Sequence, residues 1–204
     1  VTDSFSNTIR RVTVTGTVTT VVGQPGARGF SDGTGSTALF ATPLGIAPIA
    51  VGEVVVADSE NQVIRRVTAD GTVTTVAGRP GVRGFADGAA ADATFNFPSG
   101  VAVGSDGSIW VADSSNHTIR RVAPNGQVST VAGSALLSGD ADGPASTARF
   151  RSPSGLAFDG NGNLLVADTG NHTLRRLSAG GEVTTVAGLP GHPGICPRQP
   201  AVRP

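Results

Sequence analysis

The chain has no lysine, no methionine and no tyrosine, a single cysteine and a single tryptophan. All fifteen basic residues are arginine, and fifteen carboxylates balance them to a net charge of zero at pH 7. Each absence excludes something. Without lysine, the glycine-rich loops cannot form a P-loop. A neutral chain has no overall electrostatic footprint for nucleic acid or acidic membranes. The eight phenylalanines and one tryptophan fall mostly at repeat or strand positions and supply no aromatic platform for stacking bases. Cys196 has no second cysteine to pair with in the chain, so the redox compartment stays open. No apolar run approaches the ~20 residues that span a bilayer, and no signal peptide is visible, although Val1 enters in mid-repeat. Nothing in the sequence sets a localisation.

What is present is a strict period of 55 residues. Ile9, Ile64, Ile119 and Leu174 obey it, as do Val18, Val73, Val128 and Val183. So do Phe40, Phe95 and Phe150, Pro43, Pro98 and Pro153, and the pairs Asp32-Gly33, Asp87-Gly88 and Asp142-Gly143. A fixed period of this size marks supersecondary units that bury their apolar faces only by stacking. Residues that recur in every unit are expected to build the unit.

Residues 150–188 display one unit. Gly155-Leu156-Ala157-Phe158 reads as a short apolar strand, followed by the turn Gly160-Asn161-Gly162. Leu164-Leu165-Val166-Ala167 is apolar throughout, as a strand buried on both faces should be. After Asp168-Thr169-Gly170-Asn171, a third strand runs from His172 to Leu177, and Val183-Thr184-Thr185-Val186 alternates like a half-exposed outer strand. The same meander recurs in 95–133 and 40–78, with a partial unit in 1–23 and an irregular tail in 189–204. Between units lies a loop of about 17 residues, long enough to suggest a special role. Its Ala-rich part, Ala89 to Phe95, is predicted to form one helical turn. The fold class is therefore all-β: a β-propeller of four-stranded antiparallel blades, with three whole units and about half of a fourth. Pro48 suits an innermost edge strand.

Val111-Ala112-Asp113-Ser114-Ser115-Asn116-His117-Thr118-Ile119-Arg120-Arg121-Val122 and Val166-Ala167-Asp168-Thr169-Gly170-Asn171-His172-Thr173-Leu174-Arg175-Arg176-Leu177 resemble the signature of the NHL repeat, in its long-loop variety. Asn61-Gln62 and Ser6-Asn7 depart from it in the earlier units. The resemblance implies a propeller, commonly of six blades, so the chain is expected to be an arc or incompletely closed ring with open blade faces that invite self-association. It also implies a range of functions: protein scaffolds, single-stranded RNA binders, and a metal-dependent lyase branch. Fold alone does not choose among them.

Candidate sites are weighed residue by residue. The ladder Asp3, Asp58, Asp113 and Asp168 has the residue type of a cation ring, but carboxylates that recur in every unit are expected to accept N–H groups of their own turns. His117 and His172 lack a third zinc ligand of suitable spacing and read as side chains packed at turns. Of the pairs Arg10-Arg11, Arg65-Arg66, Arg120-Arg121 and Arg175-Arg176, one member is expected to bridge to a neighbouring blade and the other to be solvated. No nucleophile elbow or triad is present, so no catalytic residue, metal ligand or cofactor is assigned. The expected function is a non-catalytic protein-binding scaffold. The alternatives are a metal-dependent propeller enzyme of lyase or hydrolase type, or single-stranded RNA binding. Partner contacts are placed where the long loops vary, at Arg28, Arg83, Leu136 and Leu137.

Overall fold

The computed structural model describes residues 1–192; the expectations for Cys196 and the rest of the tail lie outside the described residues. Four antiparallel sheets follow one another along the chain. The first holds β1 (Thr2–Asp3), β2 (Thr8–Val12) and β3 (Val18–Val22). The second holds β4 (Gly33–Thr34), β5 (Pro43–Ala50), β6 (Glu53–Asp58), β7 (Val63–Val67) and β8 (Thr72–Ala77). The third holds β9 (Gly88–Ala89), β10 (Pro98–Val103), β11 (Ile109–Asp113), β12 (Thr118–Val122) and β13 (Gln127–Gly133). The fourth holds β14 (Gly143–Pro144), β15 (Pro153–Phe158), β16 (Leu164–Asp168), β17 (Thr173–Leu177) and β18 (Glu182–Ala187).

Each complete sheet is the expected four-stranded meander with one addition. The two-residue strands β4, β9 and β14 come from the long loop and pair antiparallel with the outer strands β8, β13 and β18. The Ala-rich stretch makes the expected single turn, with Asp92 and Ala93 N–H donating to Ala89 O, but it opens on a strand edge at Gly88–Ala89 that the sequence did not signal. Pro48 lies on β5, an edge of its sheet, where the missing N–H costs no ladder bond.

The second strand of each unit shows how the units stack. Alternate side chains point to opposite faces, so Val55 packs forward onto the third sheet and Val56 backward onto the first. The forward set in the second sheet is Ala47, Val55, Ala57, Ile64 and Ala77; it meets Phe95, Val101, Ile109, Val111, Val122 and Val128 of the third. The next junction repeats this with Ala102, Ile119 and Ala132 against Phe150, Leu164, Val166, Leu177 and Val183. Near the axis the inner strands run so close that a Cβ on Gly45 would sit 2.5 Å from Ser99 O, and one on Gly100 would sit 1.8 Å from Ser154 O. Only glycine fits there.

The sheets form an open arc. Val1, Val12 and Val18, counterparts of the buried Val56, Val67 and Val73, are 63%, 52% and 49% exposed. At the other end Leu165 and Leu174 are half-buried, whereas Val55 and Ile119 at the equivalent positions are fully buried. The expectation that the strand Leu164 to Ala167 is buried on both faces is thus corrected at Leu165: among the described residues no unit lies in front of it.

Candidate functional site

One buried arginine per complete unit ties the long loop to its own blade. Arg120, on the inward face of β12, bonds Asp113 at 2.9 Å, Asp87 at 2.6 Å, Thr94 O at 3.1 Å and Ala86 O at 2.9 Å. Arg65 repeats this with Asp58 at 2.8 Å and Asp32 at 2.7 Å, and Arg175 with Asp168 at 2.9 Å and Asp142 at 2.7 Å. The three guanidinium groups stand 5.1–5.2 Å from the rings of Phe40, Phe95 and Phe150, within range of a cation–π contact. Two expectations change here. The bridging arginine serves its own sheet and preceding loop, not a neighbouring blade. The carboxylates of Asp58, Asp113 and Asp168 accept no backbone N–H of their own turns and hold them only through an asparagine side chain. They accept the N–H of Ala41, Asn96 and Arg151, seventeen residues back, and the amides of Asn61, Asn116 and Asn171. Only Asp3 behaves as expected, accepting Ser6 N–H.

Burial outweighs these bonds and pushes the carboxyls of Asp58 and Asp113 up to about 6; Asp168 is also raised by burial. Asp58 and Asp113 therefore remain predominantly ionised at pH 7, and all three carboxylates are paired with guanidinium groups that are always charged. The neighbouring arginines differ. Arg66 and Arg121 lie on the outer face and pair with Glu53 and Asp106 in partly solvated bridges.

The residue closing the turn between second and third strands has a left-handed backbone in every unit: Asn7, Gln62, His117 and His172. Its side chain staples consecutive units. Thr42 N–H donates to Asn7 Oδ1 (2.9 Å), Phe97 N–H to Gln62 Oε1 (2.6 Å), and Ser152 N–H to His117 Nδ1 (3.1 Å). The departures from the signature at Asn7 and Gln62 therefore keep its chemistry, because all three side chains present an acceptor. A second staple accompanies each junction: Ser4, Ser59 and Ser114 hydroxyls donate to Pro43, Pro98 and Pro153 carbonyls. His172 is exposed and makes no such bond among the described residues. Among those residues no group of three or more His, Cys, Asp or Glu side chains is placed to hold a metal ion.

With the recurring polar residues occupied, the long loops stand out. Their tips are fixed to the preceding unit's turn, with Gly26, Gly81 and Leu136 N–H donating to Ser6, Asn61 and Asn116 carbonyls. Leu136 and Leu137 are 61% and 56% exposed. Arg83 is exposed on the same face, but Arg28 is bound to Glu60 at 2.9 Å. The structure thus gathers the four predicted residues on one side of the arc while tying one of them down. Sequence reasoning missed Phe30, Val82 and Phe85, which are 39%, 40% and 53% exposed on the same loops. A cleft of about 600 Å³ lies beside them, lined by Phe30, Arg79, Pro80 and Val82 among others. The signal was available in Phe85, an aromatic ten residues before the buried anchor Phe95, in a loop with no strand to pack on.

The NHL repeat family model matches residues 95–122 and 150–177, the third and fourth units. The chain belongs to the NHL-repeat family. It is 35% identical over 164 residues to NHL repeat-containing protein 2 of Bos taurus, covering 74% of the chain but 22% of that protein. The chain therefore spans about a fifth of that relative's length. Among solved structures, it superposes on a Bacteroides thetaiotaomicron protein of unknown function with a TM-score of 0.71 and 24% identity, over 84% of the chain and 42% of that protein. It also superposes on virginiamycin B lyase from Staphylococcus aureus with a TM-score of 0.56 and 21% identity, over 90% of the chain and 50% of the lyase. These two likenesses establish the propeller-type fold of this NHL-repeat chain and nothing about its chemistry.

Proposed function

We propose that this NHL-repeat chain is a non-catalytic scaffold segment that binds a protein partner through its long-loop face. The observation that carries the reading is the distribution of exposed apolar side chains. Apolar strand positions are buried in the junctions, whereas the loop pairs Phe30 and Phe85, and Val82 and Leu137, each one repeat apart, stand out with Leu136 on neighbouring loops. Apolar groups clustered on a rigid frame are the usual mark of a protein contact. Arg83 supplies an exposed cation beside them, a residue type favoured at interface centres. The RNA-binding alternative is weakened, because Arg65, Arg120 and Arg175 are fully buried and cannot reach phosphates, and their accessible neighbours Arg66 and Arg121 are already paired with Glu53 and Asp106.

The test is capture of partners on immobilised protein, followed by identification and a binding titration. Substitution of Leu136 and Leu137 by Asp, with Phe85→Ser, is expected to abolish binding. Val51→Asp, at a fully exposed hairpin tip on the opposite side, should leave it intact. Binding that survives the loop variant and fails in Val51→Asp refutes the placement. A melting temperature raised by zinc or calcium would instead favour the metal-dependent enzyme.

A further inference from the structure

The junction between the third and fourth sheets carries a cleft of about 550 Å³ on the side of the molecule opposite the long loops. That volume lies within the range of small-ligand pockets. Its origin is a departure from the repeat. At the preceding junction Ile49 and Val55 pack with Val103 in one apolar cluster. Fifty-five residues on, the same three positions are Gly104, Trp110 and Phe158. The plug provided by Ile49 is lost at Gly104, and the aromatic pair stands in the space behind it. Trp110 and Phe158 meet edge to face, with centroids 5.7 Å apart and planes at 87°. A Cβ built on Gly104 would lie 2.9 Å from Asp106 Oδ1, 3.4 Å from Trp110 Nε1 and 3.7 Å from Phe158 Cζ. A carboxylate, the indole and a ring edge therefore converge closely around Gly104, and a side chain there would have to displace the Asp106 carboxylate.

The lining contains Asp106 and Asp159 and no Arg, Lys or His; Arg121, paired with Asp106 at 2.7 Å, and Arg176, near Asp159, stand behind the carboxylates outside the lining. Both carboxylates are fixed and kept ionised. Asp106 accepts Ser108 N–H and hydroxyl and an Arg121 N–H, and Asp159 accepts the N–H groups of Asn161 and Asn163. These bonds hold both carboxyls below the usual range, Asp106 at about 2. An aromatic floor edged by fixed carboxylates disfavours anions and suits an organic cation, which gains from the carboxylates and from the ring faces together. We infer that this cleft is a docking pocket for a cationic side chain, an arginine or lysine presented by a partner segment. The proposal uses a surface separate from the long-loop face and does not depend on it.

Trp110 is the single tryptophan of the chain, so its fluorescence reports on the cleft alone. The probe is Nα-acetyl-argininamide, with the uncharged citrulline analogue as control. Saturable change in Trp110 emission is expected for the arginine probe. The citrulline analogue should bind at least about tenfold more weakly, as loss of a charged partner predicts. Gly104→Ile, which restores the plug of the preceding junction, should abolish the response. Asp159→Asn should weaken it while keeping an oxygen for the turn N–H groups. A thermal melt of each variant establishes that it is folded. No saturable response to the arginine probe overturns the inference, as does an equal response to citrulline or an undiminished response in folded Gly104→Ile.

Discussion

Replacing Arg120 by methionine probes the buried clamp at one of its three copies. The side chain is fully buried between Asp113, also fully buried, and Asp87, which is 48% exposed. Methionine preserves much of the volume but leaves Asp113 with no guanidinium and strands the carbonyls of Thr94 and Ala86. Removing one partner of a buried ion pair costs about 3–5 kcal/mol, because the remaining charge is uncompensated. Asp87 adds little, since solvent takes over as its partner. The adjacent Arg121→Met is the control. Its bridge to Asp106 is 34% and 55% exposed, and such pairs contribute about 0–1 kcal/mol. At about 2–4 °C per kcal/mol for a chain of this size, Arg120→Met should melt roughly 10 °C below the parent, with Arg121→Met nearly unchanged. Urea denaturation with an unchanged m-value would confirm that the loss is one of stability. If the two variants differ by less than about 1 kcal/mol, smaller than any buried-pair cost, the clamp is not what holds the loop to the blade.

Other outcomes follow from the same contacts. Gln62→Ala orphans Phe97 N–H at a unit junction and should cost about 1–3 kcal/mol, whereas His172→Ala should leave the melting temperature unchanged. Ile119→Ala, within a sealed junction, should cost about 2–5 kcal/mol; Leu165→Ala, on the open end, should cost clearly less by the same urea titration. Burial raises the carboxyls of Asp58 and Asp113 from 3.8 to about 6, so the native chain binds protons between these values when the unfolded chain does not. Stability from these groups therefore rises as pH falls from about 6 to about 4. A melting temperature at pH 5 at or above that at pH 7 is expected, and a clear fall over that interval contradicts the assignment.

The meander was legible because its strands carry strong local signals: apolar runs such as Leu164 to Ala167, bounded by Gly160-Asn161-Gly162 and Asp168-Thr169-Gly170-Asn171. The fifth strands were not. Gly88–Ala89 is two residues long, and neither has β propensity; the pairing is imposed by the clamp on Asp87. The partners of Asp113 were hidden for a similar reason, since Asn96 and Arg120 lie seventeen residues back and seven ahead, and recurrence reveals that a residue is structural without revealing what it touches. The staples were masked by chemical equivalence: Asn7, Gln62 and His117 differ as letters and agree as acceptors. Of the loop-face residues, Leu136 and Leu137 were readable as an apolar pair in a loop. Phe85 was readable as a loop aromatic recurring from Phe30, but it was passed over beside the anchoring phenylalanines Phe40, Phe95 and Phe150. Arg28 was readable as a loop cation, but its tie to Glu60 depends on a residue that unit three replaces with Ser115. The cleft beside Trp110 required comparing three positions at once across a junction.

The central claim is that the recurring polar residues are consumed in holding units and loops together, which leaves function to the residues that vary. Amide hydrogen exchange tests it most directly. Thr42, Phe97 and Ser152 donate to the staple side chains, and Ala41, Asn96 and Arg151 donate to the buried carboxylates. All six lie just ahead of the inner strands, outside any strand ladder. The account predicts strong protection at all six, comparable with the central strands. Exchange at these positions as fast as at the hairpin tips Asp106 and Asn125 would contradict it.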